Sequence, residues 1–198
     1  MMNSTTPVTV YSAGLNNAAY AKVGNISGTN ITWYAAQQIA ATNTAGAIHG
    51  CEIDGTRLMV AWCHSSSDAR CRIGTIGTSG SITWENYVQY ASVSEYGHVY
   101  RPLVAPISSQ RVLVGQVGFN QKSWFKIANI ASNNTITLAG GIPVVRVSHQ
   151  TYTSDGPRKL YGENIIDVGG NYSPETTTGV VTTQVMKVND AASIQAYT

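Results

Sequence analysis

Glycoside cleavage needs two carboxyl groups about 5–10 Å apart, one to protonate the leaving oxygen and one to attack or to activate water. Among ten acidic residues the sequence offers two close pairs. Glu52 and Asp54 stand two apart in the stretch Ala47–Asp54, so an extended strand puts them on one face. Glu163 and Asp167 lie in a second such stretch, Lys159–Val168. No arginines are placed around either pair, and the reading is that these carboxylates are solvated or hold turns. The four histidines, His49, His64, His98 and His149, share no metal-ligand spacing, and neither HExxH nor a paired CxxC occurs. Each is expected to make a local hydrogen bond. The GxSxG nucleophile turn is absent. The glycine-rich GTIGTSGS lies between two strands, whereas a phosphate cradle opens a helix. The chain is therefore read as not an enzyme, with no metal and no cofactor.

The residues best suited to binding are aromatic. Tyr87, Tyr90, Tyr96, His98 and Tyr100 fall in one segment, ENYVQYASVSEYGHVY, Glu85–Tyr100. Aromatic faces stack on sugar rings and anchor protein interfaces. These five are the candidate receptor- or glycan-binding residues. The competing reading is that half of them roof the core.

What positions them is a repeat. KIANIASNNTITL (Lys126–Leu138) restates KVGNISGTNITW (Lys22–Trp33) and RIGTIGTSGSITW (Arg72–Trp84), with a worn copy in KVNDAASIQAY (Lys187–Tyr197). Turn-forming residues between two period-2 apolar runs mark a hairpin. The isoleucine of the last strand recurs at Ile31, Ile82, Ile136 and Ile194, at spacings of 51, 54 and 58. The basic residue of the strand before it recurs at Lys22, Arg72, Lys126 and Lys187. A period near fifty with several short strands per unit predicts propeller blades. The expected fold is all-β: a small β-propeller of about four blades, in one repeat domain with units at about 8–33, 47–84, 101–138 and 148–197.

Each unit is read as four strands, a to d. The first unit lacks strand a. One grouping takes the sheets as d-a-b-c, so that Ser193–Tyr197 completes a sheet with the N-terminal strands and removes exposed edges. The alternatives are an open array, or one closed by a neighbouring subunit. The connections from d to the next a, Tyr34–Gly46, Glu85–Tyr100 and Ala139–Val147, read as loops. Long loops on a rigid scaffold carry binding function. The four basic residues are expected to snorkel to water from one sheet face. Val23, Ile73, Ile127 and Val188 are expected to pack between blades on the opposite side. Trp33, Trp84 and Leu138 are expected to fill one inter-blade layer.

Composition narrows the setting. Only 11% of residues are charged and the net charge is +2. The isolated pairs Arg70/Arg72 and Arg158/Lys159 make no nucleic-acid footprint. No apolar run is long enough to span a bilayer. MMNSTTPVTV has neither the basic region nor the apolar core of a secretion signal, which points to a protein used in the cytoplasm or released by lysis. Of Cys51, Cys63 and Cys71, the last two flank HSSSDAR. Three free thiols is the first reading and a Cys63–Cys71 bridge the second.

With the repeat laid out, [KR]-[IV]-[GA]-x-I followed by a short turn and I-T-[WL], preceded by strands such as RLMVAW and RVLVGQV, resembles the propeller-like repeats of bacteriophage virion proteins, especially tail-fibre and other receptor-facing proteins. The likeness covers about Val8 to Leu138. The fourth unit departs from it with Val188-Asn189-Asp190 and no Trp. The resemblance implies a non-enzymatic structural component of the virion, a tail-fibre or knob protein. It implies homo-oligomeric assembly beside other virion proteins and a host surface glycan as receptor. A lectin-like carbohydrate-binding module and a capsid decoration protein are the alternatives.

Overall fold

A computed structural model describes residues 5–13, 17–41, 48–64, 68–92, 94, 99–118, 122–146, 158–159, 164–171, 180–188 and 194–197. Every element defined among them is a strand, and all strand pairs are antiparallel. The first sheet holds β1 (Val8–Ala13), β2 (Ala18–Ser27), β3 (Asn30–Trp33) and β4 (Gln37–Ala40). The second holds β5 (Ile48–Asp54), β6 (Arg57–His64), β7 (Asp68–Ile76), β8 (Ile82–Trp84) and β9 (Val88–Ser92). The third is β10 (Val99–Ser108), β11 (Arg111–Gly118), β12 (Lys122–Ile130) and β13 (Ile136–Arg146). The fourth, described by its backbone pairing, is β14 (Arg158–Lys159), β15 (Asn164–Asn171), β16 (Val180–Val188) and β17 (Ile194–Tyr197).

The strands run in chain order across each sheet. This overturns the d-a-b-c grouping. β17 pairs with β16 of its own sheet, because a short turn after a c strand returns the chain as a hairpin before it can travel elsewhere. The a position of the fourth sheet is taken by Arg158–Lys159 rather than by Ser148–Thr153, which lies outside the described residues.

Pairing fixes which residues are equivalent. Thr9 opposes Lys22, Val60 opposes Arg72 and Val114 opposes Lys126. The c-to-d turns match as well. Gly80 and Asn134 occupy the same place with φ of 74° and 63°, a left-handed backbone that Gly adopts freely and Asn tolerates. In both turns the residue's N–H closes onto the carbonyl three before it, Gly77 or Ala131.

The d strand is longer than its sequence pattern suggests. β8 and β9 both lie along β7, and β3 and β4 both lie along β2, each pair being one outer strand interrupted in the middle. In the third sheet β13 runs through with shifts of register. The three segments read as loops each contain strand: Gln37–Ala40 in the first, Val88–Ser92 in the second, and most of the third, which is the end of β13. Val88–Ser92 belongs to the second sheet and Val99–Tyr100 open the third.

Sheets pack face to face. Ala19, Ala21, Val23 and Ile39 of the first meet Leu58, Val60, Trp62 and Ile82 of the second. The other face of the second, with Met59, Ala61, Cys63, Cys71, Ile73 and Tyr90, meets Val104, Val112, Val114 and Ala128 of the third. β6 is covered on both sides, which explains why RLMVAWCH reads as a continuous apolar run instead of an alternation.

The three equivalent positions Trp33, Trp84 and Leu138 do not form one layer. Trp84 and Leu138 are half-buried, each between its own sheet and the preceding one, whereas Trp33 is 43% exposed because no sheet precedes the first among the described residues. Cys63 and Cys71 are buried and free. Cys63 opposes Ala69, which makes Cys71 its diagonal neighbour. Diagonal positions stand about 7–8 Å apart, beyond the span of a disulfide.

Candidate functional site

Of the five aromatic candidates, the structure places two in full, and it separates them. Tyr87 sits in the interruption between β8 and β9 and is 51% exposed. Tyr90 is one turn of the pleat further along β9, is 2% exposed, and donates its hydroxyl to the Gly115 carbonyl of the third sheet at 3.0 Å. Tyr90 is therefore part of the core, as the competing reading of the aromatic segment has it. The two rings lie on opposite faces of the sheet: Tyr90 packs with Met59 and Ala61 toward the third sheet, and Tyr87 lies against Trp62 and Arg70 on the other side. Burial raises the Tyr90 phenol well above its ordinary value, so it stays neutral. Tyr100 lies in β10 with its backbone opposite Val117, next to a register shift. Tyr96 and His98 lie outside the described residues.

Tyr87 is held by two residues, Arg70 and Trp62, and a third, Asp68, holds Arg70. The Arg70 guanidinium lies 4.5 Å from its ring centroid. Trp62 meets it edge-on, with centroids 6.2 Å apart and planes at 75°. Asp68, itself buried, accepts from Arg70 Nε at 2.7 Å. Arg70 and Trp62 face each other across β6 and β7, and Asp68 starts β7. The result is a fixed aromatic ring with one side backed by a neutralised cation and the other part open to solvent. The signal was available in the repeat. At the positions of Trp62 and Arg70 the first sheet has Tyr11 and Tyr20, stacked at 5.8 Å, while the third has Gln116 and Trp124.

The site is not repeated in the first or the third sheet. Through the pairings of Val88 with Cys71, Gln37 with Ala21 and Ile142 with Phe125, the places equivalent to Tyr87 are held by Ala36 and Gly141.

Of the four carboxylates in the possible catalytic pairs, Asp54 has a structural task. Glu52 and Asp54 are separated by a register shift at Ile53, so they do not present side by side. Asp54 accepts from Thr56 N, Thr56 Oγ1, Arg57 N and Arg57 Nε, at 2.8–3.0 Å. Burial pushes its carboxyl up, but the hydrogen bonds and charge of Arg57 and the bonds from Thr56 outweigh that and hold it below its ordinary value. Asp167 is placed by its backbone alone, in β15, and Glu163 lies outside the described residues. His49 Nδ1 accepts from the Val104 amide at 3.2 Å, and burial lowers its pKa. No group of three metal-ligating residues is found among the described residues. No helix among them is long and apolar enough to cross a membrane.

The repeated basic position is also more than a solvated charge. Arg72 does not snorkel to water. Its Nη1 donates to the Ile39 carbonyl of the first sheet at 2.8 Å and its Nε to the Glu85 carbonyl at 2.8 Å, with the guanidinium 5.5 Å from the Trp84 ring centroid. It ties one sheet to the next. Lys22 and Lys126 are half-buried at the same place.

The chain matches no protein-family model and no curated protein. A solved structure of a protein from Lactobacillus plantarum, a structural-genomics target, is similar to it at a TM-score of 0.53 and 10% identity, over 96% of this chain and 67% of that one. That neighbour has a β-propeller-like fold. At this identity the likeness speaks for the fold: all-β, of propeller-like kind.

Proposed function

We propose that the chain is a non-enzymatic binding protein, four blades of a propeller-like array, serving as a tail-fibre or knob component of a bacteriophage virion that holds a host-surface saccharide against Tyr87. The virion assignment rests on the resemblance of the repeat. The binding role rests on one observation, the half-exposed Tyr87 ring fixed by Arg70 and Trp62. A ring held in place loses little freedom when a sugar stacks on it, so most of the stacking energy goes into affinity. Asp68 and Asp54, each bound by an arginine, are suited to holding structure rather than to proton transfer. Because Ala36 and Gly141 take the matching places, the reading gives one site per chain and not one per blade, which favours a receptor-facing fibre protein over a lectin of repeated pockets.

The test is a glycan array and whole-cell binding with purified protein. Saturable binding is expected for the parent and for Tyr87→Phe, and a loss of at least tenfold for Tyr87→Ala at unchanged melting temperature. Tyr90→Phe is expected to bind normally and melt lower, by about 1 kcal/mol for the lost hydroxyl bond. Binding that survives Tyr87→Ala overturns the assignment of the site.

A further inference from the structure

The repeat shows what each face of a sheet is built to meet. On the face of the second sheet turned toward the first, Val60 is 0%, Trp62 1% and Ile82 7% exposed. On the matching face of the third sheet, Val112, Val114 and Ile136 are buried in the same way against the second. The first sheet carries the same design with no sheet over it among the described residues. Ile31, equivalent to Ile82, is 47% exposed, and Trp33, equivalent to Trp84, is 43% exposed. Thr9, equivalent to Val60, is exposed, and Tyr11 and Tyr20 are half-exposed. Even the small residue beneath is kept. Gly24 lies under Ile31 and Trp33 as Gly74 lies under Ile82 and Trp84. A face with this pattern is a packing face, and singly scattered surface apolar residues would not reproduce it.

We infer that this face binds a second copy of the chain, head to tail, taking the far face of that copy's fourth sheet. The occupant follows from continuity with the two inter-sheet layers inside the chain. In each of them the partner is the opposite face of a sheet of the same repeat. In the fourth sheet, backbone register puts Ile165, Met186 and Val188 at the places of Ala61, Cys71 and Ile73, three of the residues by which the second sheet receives the third. The solved propeller-like neighbour exceeds this chain in length, so four sheets correspond to an arc of such a fold. A face-to-opposite-face contact is heterologous and closes into a ring when the rotation permits. Two copies of four sheets make eight, within the four-to-eight range of propellers. Lys22, at the place where Arg72 reaches the Ile39 carbonyl, is positioned to donate to a main-chain carbonyl of the covering sheet.

The experiment is light scattering after size-exclusion chromatography, over a wide dilution range, on the full chain and on the double variant Ile31→Asp/Trp33→Asp. The parent is expected at about twice the chain mass of 21.1 kDa. The double variant is expected as a monomer with an unchanged circular-dichroism spectrum, since both side chains are half-exposed in the single chain. Met186→Asp, on the opposite face, is expected to be monomeric too. Mixing the two variants restores one intact interface, and a pair of lower affinity returns. A parent that is monomeric at every concentration, whether because its own fourth sheet covers Ile31 and Trp33 or because nothing does, overturns the inference. So does a dimer that survives Ile31→Asp/Trp33→Asp, or variants that fail to pair when mixed.

Discussion

Arg57 Nη1 donates to Asn134 Oδ1 at 2.9 Å, joining two residues 77 positions apart on adjacent sheets. The same guanidinium donates through Nη2 to the Ser109 carbonyl at 2.9 Å and pairs with Asp54 on its own sheet. Asn134 in turn donates to Glu85 Oε1 at 3.2 Å. Apolar burial packs the second sheet on the third without direction, and this polar group sets their registration.

Truncating Arg57 removes both cross-sheet bonds and leaves Asp54 without its cation. Arg57→Ala is expected to cost about 2–3 kcal/mol, the scale of charge-assisted hydrogen bonds that are partly buried. Chemical denaturation measures it. Arg57→Lys should recover less than half, because an ammonium cannot hold three separate acceptors in the plane that the guanidinium spans. A loss below about 0.5 kcal/mol for Arg57→Ala would place the pair with ordinary surface ion pairs.

Much of this architecture is legible in the amino-acid sequence. The b and c strands and the c-to-d hairpins follow from alternation and from the fifty-residue repeat, because turn chemistry and the period of two are local properties. The aromatic segment is misread for a physical reason. Glu85 and Asn86 interrupt the alternation where the outer strand of the second sheet breaks, so the continuation at Val88–Ser92 looks like loop. Once that stretch is strand, Tyr90 falls within it and is buried, while Tyr87 stays in the interruption and is exposed. The task of Arg72 is not local at all. Its acceptor, the Ile39 carbonyl, comes from the neighbouring sheet, and no pattern within one repeat encodes a backbone carbonyl's position.

Equivalent glycines should respond unequally. A Cβ on Gly74 would stand 2.5 Å from Trp84 Cζ3 and 2.7 Å from Ile82 Cγ2, both packed against the first sheet. A Cβ on Gly24 would stand 3.0 Å from Ile31 Cγ2 and from Pro7 Cγ, with Ile31 free to give way in the single chain. Gly74→Ala is expected to lose about 1–3 kcal/mol, the usual cost of overpacking. Gly24→Ala should lose under about 1 kcal/mol in the monomer. Thermal melts of the two variants decide it. Equal losses would mean that the first sheet's face is as confined as the second's.

Burial pushes the thiols of Cys63 and Cys71 up to about 12. The thiolate is the reacting species, so at pH 8 both should react with a disulfide reagent at least a hundredfold more slowly than a free thiol, and fully only after denaturation. The linkage has a definite sign. The folded chain holds these protons where the unfolded chain has released them, so the contribution is complete below the ordinary thiol value of about 8.5 and declines as pH rises from there toward 12. Denaturation midpoints should therefore fall between pH 8 and pH 10.5 in the parent, and the fall should shrink in Cys63→Ala/Cys71→Ala. Rapid labelling of native protein at pH 8 would show that the layer around them opens readily.

Gln116 is 0% exposed, and neither its Nε2 nor its Oε1 has a hydrogen-bond partner among the described residues. It stands opposite Pro102, which has no N–H to offer, beside the register shift between Tyr100 and Pro102. Its equivalent in the second sheet, Trp62, fills the same place with a larger apolar body and a single orphaned N–H. Burying an amide without partners costs about 1–3 kcal/mol on the scale of protein substitutions. Gln116→Met keeps the length of the side chain and removes both polar atoms, so it is expected to stabilise the fold by about 1 kcal/mol or more. Chemical denaturation measures the change, and Gln116→Glu should move it the other way, by bringing a charge into the same dry position. A destabilised Gln116→Met variant would mean that the amide is satisfied in solution by a bound polar molecule, and the bulge at Arg101 would be the place to look for it.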